Sequence, residues 1–221
     1  ATGSVGDGLL KAALEDPGVE RIYVVTRRTS PRIDAAVASG RVGMFLHRDF
    51  TDYTGLANLL GDVTTVLWGL GTSSLNVDDA TYTRIHVDFP IAFLKAWLAA
   101  RQEAPMSFHF VTGMGTDPQS STHWAREKGR TEHEMTALAE GTGLRTFSYR
   151  SAFIRPTTET ATTLDYVLEA LLRPGKLVIT ARNLGASMLE ISARSVELAN
   201  GTLIDNADSI AYAEAYRDNT R

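Results

Sequence analysis

Short β-branched runs alternate with longer segments of helical period from Val5 to Arg150, and this limits the chain to few architectures. Residues 5–15 are expected as a helix, closed by Asp16-Pro17-Gly18. Strands are expected at 21–26, 42–47, 64–69, 107–112 and 145–150. Between them fall helices at 32–39, 53–60 (capped by Asp52 or Thr51), 79–101 and 124–140. Pro90 should kink or divide the third of these, because proline removes a helix hydrogen bond and its ring clashes with the preceding turn. Strands that alternate with helices pair in parallel through right-handed crossovers. The strand runs are mostly continuous in hydrophobicity, as suits a sheet covered on both faces. The expected fold class is therefore α/β with a doubly wound parallel sheet. After Pro156 the alternation weakens. A helix at 164–172, a short strand at 176–180, an amphipathic helix at 187–200 and a last helix at 207–217 capped by Asn206 make a small helical C-terminal lobe. One domain is expected over 1–221, with a core at 1–156 and the lobe at 157–221 on the substrate side.

Composition removes several function classes. A chain of 221 residues with 43% hydrophobic residues can bury one sizeable core. The formal net charge of -4 argues against a nucleic-acid partner, which needs a basic surface, and against a polybasic membrane anchor. The chain has no cysteine, so disulfides, thiolate chemistry and cysteine-ligated zinc are excluded. No window approaches the ~18 apolar residues of a membrane span. A cytoplasmic protein with no membrane partner is expected.

The first residues, Ala1-Thr2-Gly3-Ser4-Val5-Gly6-Asp7-Gly8-Leu9-Leu10, match the tail of a dinucleotide-binding glycine loop. Glycine permits the tight turn, lets backbone approach a pyrophosphate and lets helix pack on strand. The pyrophosphate then sits on the positive end of the helix. Thr2, Gly3, Ser4, Val5 and Gly6 are the candidate contacts. The strand and first glycine that normally precede this loop are expected ahead of Ala1. With the loop in place, the expected sheet is Rossmann-like.

Further candidates fall at strand ends, where ligands of open parallel sheets bind. Thr26-Arg27-Arg28 ends the 21–26 strand, where an acidic residue would hold the ribose hydroxyls of NAD. Two arginines there suit a 2′-phosphate, so NADP(H) is preferred to NAD(H). Asp49-Phe50 follows the next strand and offers an acceptor to an adenine amino group. Leu70-Gly71-Thr72 and Thr112-Gly113 end two more strands and let backbone pass close to a cofactor.

These residues resemble the atypical short-chain dehydrogenase/reductases, in particular the NmrA-like and TIP30-like group. The carriers are Ala1-Thr2-Gly3-Ser4-Val5-Gly6, Arg27-Arg28, Leu70-Gly71-Thr72, Phe110-Val111-Thr112-Gly113 and residues 124–132, where Lys128-Gly129 and Glu132 match a Lys-Gly-x-x-Glu helix. The resemblance implies an NAD(P)-binding oxidoreductase, with Lys128 on the nicotinamide ribose. Reducing relatives use Tyr-x-x-x-Lys, but here Trp124 stands four residues before Lys128. Indole has no acid–base chemistry near neutral pH. Thr112 or Thr116 could polarise a carbonyl without delivering a proton, and Thr112 and Lys128 are the catalytic candidates. His123 and Tyr149 are weaker proton-donor candidates, and His133 is expected to be exposed.

Other clusters carry less. His86, Asp88 and His109 do not make a metal set. Trp68 and Trp97 are expected in the core, and Ile85, Phe89, Phe93 and Trp97 form a packing stripe. The expected function is an NADP(H)-binding oxidoreductase for a small carbonyl-type substrate, as a monomer or homodimer. The rival is a non-catalytic NADP(H) sensor or interaction protein, which would keep the loop and Lys128 but lose the donor. An epimerase would usually want the tyrosine too.

Overall fold

The computed structural model describes residues 1–101, 103 and 105–219. They divide into two compact units. Unit 1 comprises Ala1–Arg48, Ser151–Ala193 and Asp205–Arg221; unit 2 comprises Asp49–Arg150 and Arg194–Ile204.

Unit 1 opens with α1 (Ser4–Glu15), β1 (Ile22–Thr26), α2 (Pro31–Ala38) and β2 (Val42–Leu46). The two strands run parallel, with Ile22 opposite Val42. Ser30 starts α2 by accepting a hydrogen bond from Ile33 N, and Pro31 occupies the first helical position, where its missing N–H costs nothing. Leu10, Val24, Ile33, Ala36 and Val42 form the core here. The unit continues with β6 (Phe153–Arg155), α7 (Thr163–Leu172), β7 (Val178–Thr180), α8 (Ala181–Ala193) and α9 (Asn206–Asn219). β6 and β7 pair in parallel. α1 and α8 approach so closely that a Cβ on Gly8 would lie 2.3 Å from Ala181 Cβ, and one on Gly185 would lie 2.7 Å from Ala12 Cβ.

Unit 2 contains α3 (Ala57–Asp62), β3 (Thr65–Trp68), α4 (Asp79–Thr83), α5 (Phe89–Ala100), β4 (Met106–Val111), α6 (His123–Ala139) and β5 (Leu144–Arg150). The sheet order is β3-β4-β5-β8, where β8 spans Thr202–Asp205. β3, β4 and β5 are parallel, with Trp68 opposite Phe110 and Phe110 opposite Ser148. Trp68, Phe93, Trp97 and Phe108 stack into an aromatic core. The Trp97 indole N–H donates to Val63 O at 3.1 Å.

The parallel α/β pattern is present, and so is the expected division of the helix near Pro90, while other elements depart from expectation. The 79–101 helix is divided by a π-helical turn, Arg84–Asp88, in which Phe89 N bonds to Arg84 O. Pro90 falls in the first turn of α5, where proline is tolerated. The helix expected at 187–200 is instead α8, Ala181–Ala193, followed by a 3-10 turn at Ser195–Glu197. α8 starts directly from β7, with Thr180 Oγ1 accepting from Asn183 N. The last helix is capped by Asp205, which accepts from Asp208 N at 2.8 Å, and not by Asn206. The Asn206 amide turns inward, accepting from Ala152 N and donating to Lys176 O.

Candidate functional site

In unit 1, Gly3 is the N-cap of α1, with extended backbone and no side-chain cap. Gly3 and Ser4 are exposed, while Thr2 and Val5 are half-buried. The N–H groups of the first helical turn have no acceptor within the helix, and the dipole leaves this end positive. A Cβ on Gly3 would meet nothing within 4 Å, so a ligand could approach the backbone there. Gly6 is required for a different reason: a Cβ would stand 2.4 Å from Ala1 N, where the Ala1 backbone lies against the helix.

Asp7 is the one acid in that first turn. Its carboxylate accepts from Arg32 at 2.7 and 3.2 Å and from Thr157 Oγ1 at 2.7 Å. Glu159 pairs with Lys11 at 2.9 Å and with Arg32 at 3.2 Å. Lys11 and Arg32 are thus engaged, and the two hydrogen-bonded carboxylates hold the Arg32 guanidinium pKa above its usual value. Arg27 and Arg28 differ. Both are exposed after β1, and among the described residues no carboxylate pairs with either. Their turn is shaped by Thr26, whose Oγ1 donates to Arg28 O at 2.8 Å.

In unit 2, Asp49 is exposed and accepts from Thr51 N and Oγ1 at 3.0 and 2.6 Å. Phe50 packs inward against Tyr53 and Phe89. Leu70 and Thr72 are half-buried around an exposed Gly71.

Lys128 Nζ donates to Thr112 O at 3.0 Å and to Val111 O at 3.4 Å, at the carboxyl end of β4. Burial lowers its pKa to about 8, against the opposing pull of Glu132. Gly129 lets α6 touch the loop before it, since a Cβ would lie 2.4 Å from Pro118 N. Thr131 Oγ1 donates to His86 O at 2.9 Å. Glu132 is buried and takes a two-point bond from Arg150 at 2.6 and 3.3 Å.

The proton-donor candidates are committed elsewhere. Tyr149 is fully buried in the sheet, 2.8 Å from His109 Nδ1. Burial pushes the His109 pKa down to about 3, so its imidazole is neutral. His123 Nε2 lies 3.2 Å from Thr83 Oγ1 and 3.1 Å from Asp79 O. The buried Thr112 hydroxyl donates to Tyr149 O at 3.2 Å, and Thr116 Oγ1 accepts from Gly113 N. His133 is exposed. Among the described residues no cluster of three or more histidines and carboxylates could hold a metal ion, and no helix is long and apolar enough to cross a membrane.

The structure resembles several solved enzymes. UDP-glucuronic acid 4-epimerase from Bacillus cereus, solved with NAD, superposes with a TM-score of 0.66 at 13% identity, covering 92% of this chain and 74% of that one. The dTDP-glucose 4,6-dehydratase DesIV from Streptomyces venezuelae, a double mutant solved with NAD, gives 0.68 at 14% identity, covering 98% and 78%. The KRED1-Pglu enzyme gives 0.66 at 14% identity, covering 91% and 96%. The fold is of the Rossmann type. By sequence, the chain is 25% identical over 139 residues to Leucinostatins biosynthesis cluster protein T of Purpureocillium lilacinum. That match covers 62% of this chain and 49% of the relative, so the chain spans about half the length of the curated relative it matches. No protein-family model matches the chain.

Sequence reasoning picked out Lys128 but not the residues that hold it in register. Gly129, Thr131 and Glu132 were visible only as part of a motif. His86, which among the described residues belongs to no metal set, bonds to the segment at 70–72. That contact joins residues 14 apart across a strand end and a helix, and no local pattern signals it.

Proposed function

We propose that this chain is an NADP(H)-binding protein of the atypical short-chain dehydrogenase/reductase type, near the NmrA-like and TIP30-like group. Its proposed reaction is oxidoreduction of a small carbonyl-type substrate. The observation that carries the cofactor reading lies in unit 1: the uncapped, exposed start of α1 occurs together with two exposed arginines that, among the described residues, pair with no carboxylate. Open space beside Gly3 fits a phosphate group approaching backbone.

Thr2, Gly3, Ser4, Val5 and Gly6 would hold the pyrophosphate, and Arg27 and Arg28 the 2′-phosphate. Of unit 2, Asp49 and Phe50 would border the adenine, and Leu70, Gly71, Thr72, Thr112 and Lys128 the remaining cofactor contacts. The bound nicotinamide supplies hydride chemistry, while the protein positions the reactants. Lys128 is held on the Thr112 carbonyl and can turn one of its three N–H donors to a ribose hydroxyl. Thr112 can polarise a carbonyl only by withdrawing its hydroxyl from Tyr149 O. A relative named for a biosynthesis cluster is in keeping with a small organic substrate. Action in the cytoplasm, as a monomer or homodimer, completes the reading.

A second reading has its own observation. Trp124 replaces the phenol, and Tyr149 and His123 are bonded within the protein. A non-catalytic NADP(H) sensor needs no donor. NADPH consumption with a panel of aldehydes and ketones separates the two. Turnover above the enzyme-free rate supports the oxidoreductase; NADPH binding with no turnover across the panel supports the sensor.

A further inference from the structure

His86 is only 3% exposed, yet its imidazole bonds to a loop and not to the core. It projects from the π-helical turn between α4 and α5, a helical irregularity that often marks functional positions. Its Nε2 lies 2.9 Å from Thr72 O and 3.2 Å from Thr72 N. Three contacts set the ring. Tyr82 stacks on it, with centroids 4.2 Å apart and planes 29° from parallel. Thr131, on the helix that carries Lys128, donates to its backbone carbonyl. Gly71 lies against its edge, so that a Cβ at position 71 would come within 2.9 Å of Cε1.

The chemistry of the ring narrows its role. Burial and the nearby Lys128 charge lower the His86 pKa to about 4, so the imidazole is neutral. A neutral Nε2 either donates to the Thr72 carbonyl or accepts from the Thr72 amide, and it answers the same residue in both tautomers. Nδ1 is buried and, among the described residues, has no hydrogen-bond partner. A core histidine kept for packing alone would be replaceable by an apolar residue that leaves no orphan nitrogen. Here the bonded nitrogen, Nε2, grips the segment at Thr72.

We propose that His86 is a positioning residue that fixes the 70–72 turn in the shape that receives the dinucleotide, and that this grip requires glycine at position 71. The proposal rests on the reading of that turn as a cofactor contact. It does not make His86 a catalytic residue, since the ring is closed off from solvent.

The test compares His86→Leu, His86→Gln and Gly71→Ala with the unaltered protein. Glutamine places an amide nitrogen near the position of Nε2, whereas leucine keeps bulk and removes the bond. Amide hydrogen exchange across 70–72 is read first, without cofactor, and NADPH affinity second. In His86→Leu, exchange across the turn should quicken about fivefold and NADPH affinity fall about fivefold, the effect of one lost hydrogen bond. Amides of β4 and β5 should not change. His86→Gln should recover most of both. Gly71→Ala should reproduce the loss, because its Cβ displaces the ring; it also serves if His86→Leu does not fold. Unchanged exchange and affinity in both His86→Leu and Gly71→Ala would overturn the proposal, as would a His86→Gln protein no better than His86→Leu. If the unaltered protein binds no dinucleotide, the cofactor reading fails and exchange alone decides the grip: protection lost supports it, protection kept refutes it.

Discussion

Trp124 and Lys128 sit one helical turn apart on α6, and they carry opposite implications. Lys128 stands at the carboxyl end of β4, while position 124 holds an indole where the proposed family's reducing members carry a phenol. Trp124→Tyr tests whether Lys128 is in working position. NADPH oxidation with a carbonyl panel should rise at least tenfold; no rise would count against Lys128 facing a substrate. The ammonium itself should titrate visibly. Its folded pKa of about 8 lies below the ordinary 10.5, so the unfolded chain holds the proton more tightly. Stability therefore rises as pH climbs from about 8 toward 10.5, and the penalty of burying the charge is present in full below that window. Lys128→Met should flatten this rise in urea-unfolding midpoints. Over the same range NADPH affinity should fall in the unaltered protein, as the ammonium loses its charge, and stay level in the variant. Glu132 makes the complementary case. Removing its charge leaves Arg150 without its carboxylate partner, and Glu132→Gln should cost about 1–3 kcal/mol in chemical denaturation. A loss under 0.5 kcal/mol, well below that ~1–3 kcal/mol range, would show the pair to be incidental.

Helices α1, α6 and α8 owe their placement to glycines that admit another segment. Alanine normally favours a helix over glycine by about 1 kcal/mol. Gly129→Ala should nonetheless destabilise the protein by about 1–3 kcal/mol, because backbone of the 117–118 loop occupies the space its Cβ needs. Gly8→Ala, against Ala181, should do the same; a stabilised variant at either position would contradict the close approach. Elements with a strong period were legible in the sequence: α1, β1, β2, β4, β5 and α6 fall within about two residues of expectation, the usual uncertainty of helix and strand ends. The misplaced elements lacked a local signal. β7 runs into α8 with no intervening loop residue, so no breaker marks the start at Ala181. β6 has three residues and β8 four, too few for a periodic pattern, and their pairing is set by partners distant in sequence. Asn206 is a good capping residue by type, but two backbone groups far from it in sequence claim its side chain, and Asp205 takes the cap.

At the scale of the molecule, the candidate site was legible where it depends on short segments and hidden where it depends on their meeting. The glycine loop, the arginine pair and Lys128 could each be read from adjacent residues. Among the described residues no carboxylate pairs with Arg27 or Arg28, and the engagement of Arg32 by Asp7 spans 25 residues and needed the fold. So did the burial of Tyr149 on His109. The chain carries a formal charge of -4, so a local basic pair is a specific feature and not a consequence of overall composition. Arg27 and Arg28 are proposed to select a 2′-phosphorylated dinucleotide. Calorimetric titration of the unaltered protein and of Arg27→Ala/Arg28→Ala with NADPH and with NADH tests it most directly. NADPH should bind at least tenfold tighter than NADH to the unaltered protein, and the preference should collapse in the double variant while NADH affinity holds. Equal affinities in the unaltered protein, or no binding of either dinucleotide, would contradict it.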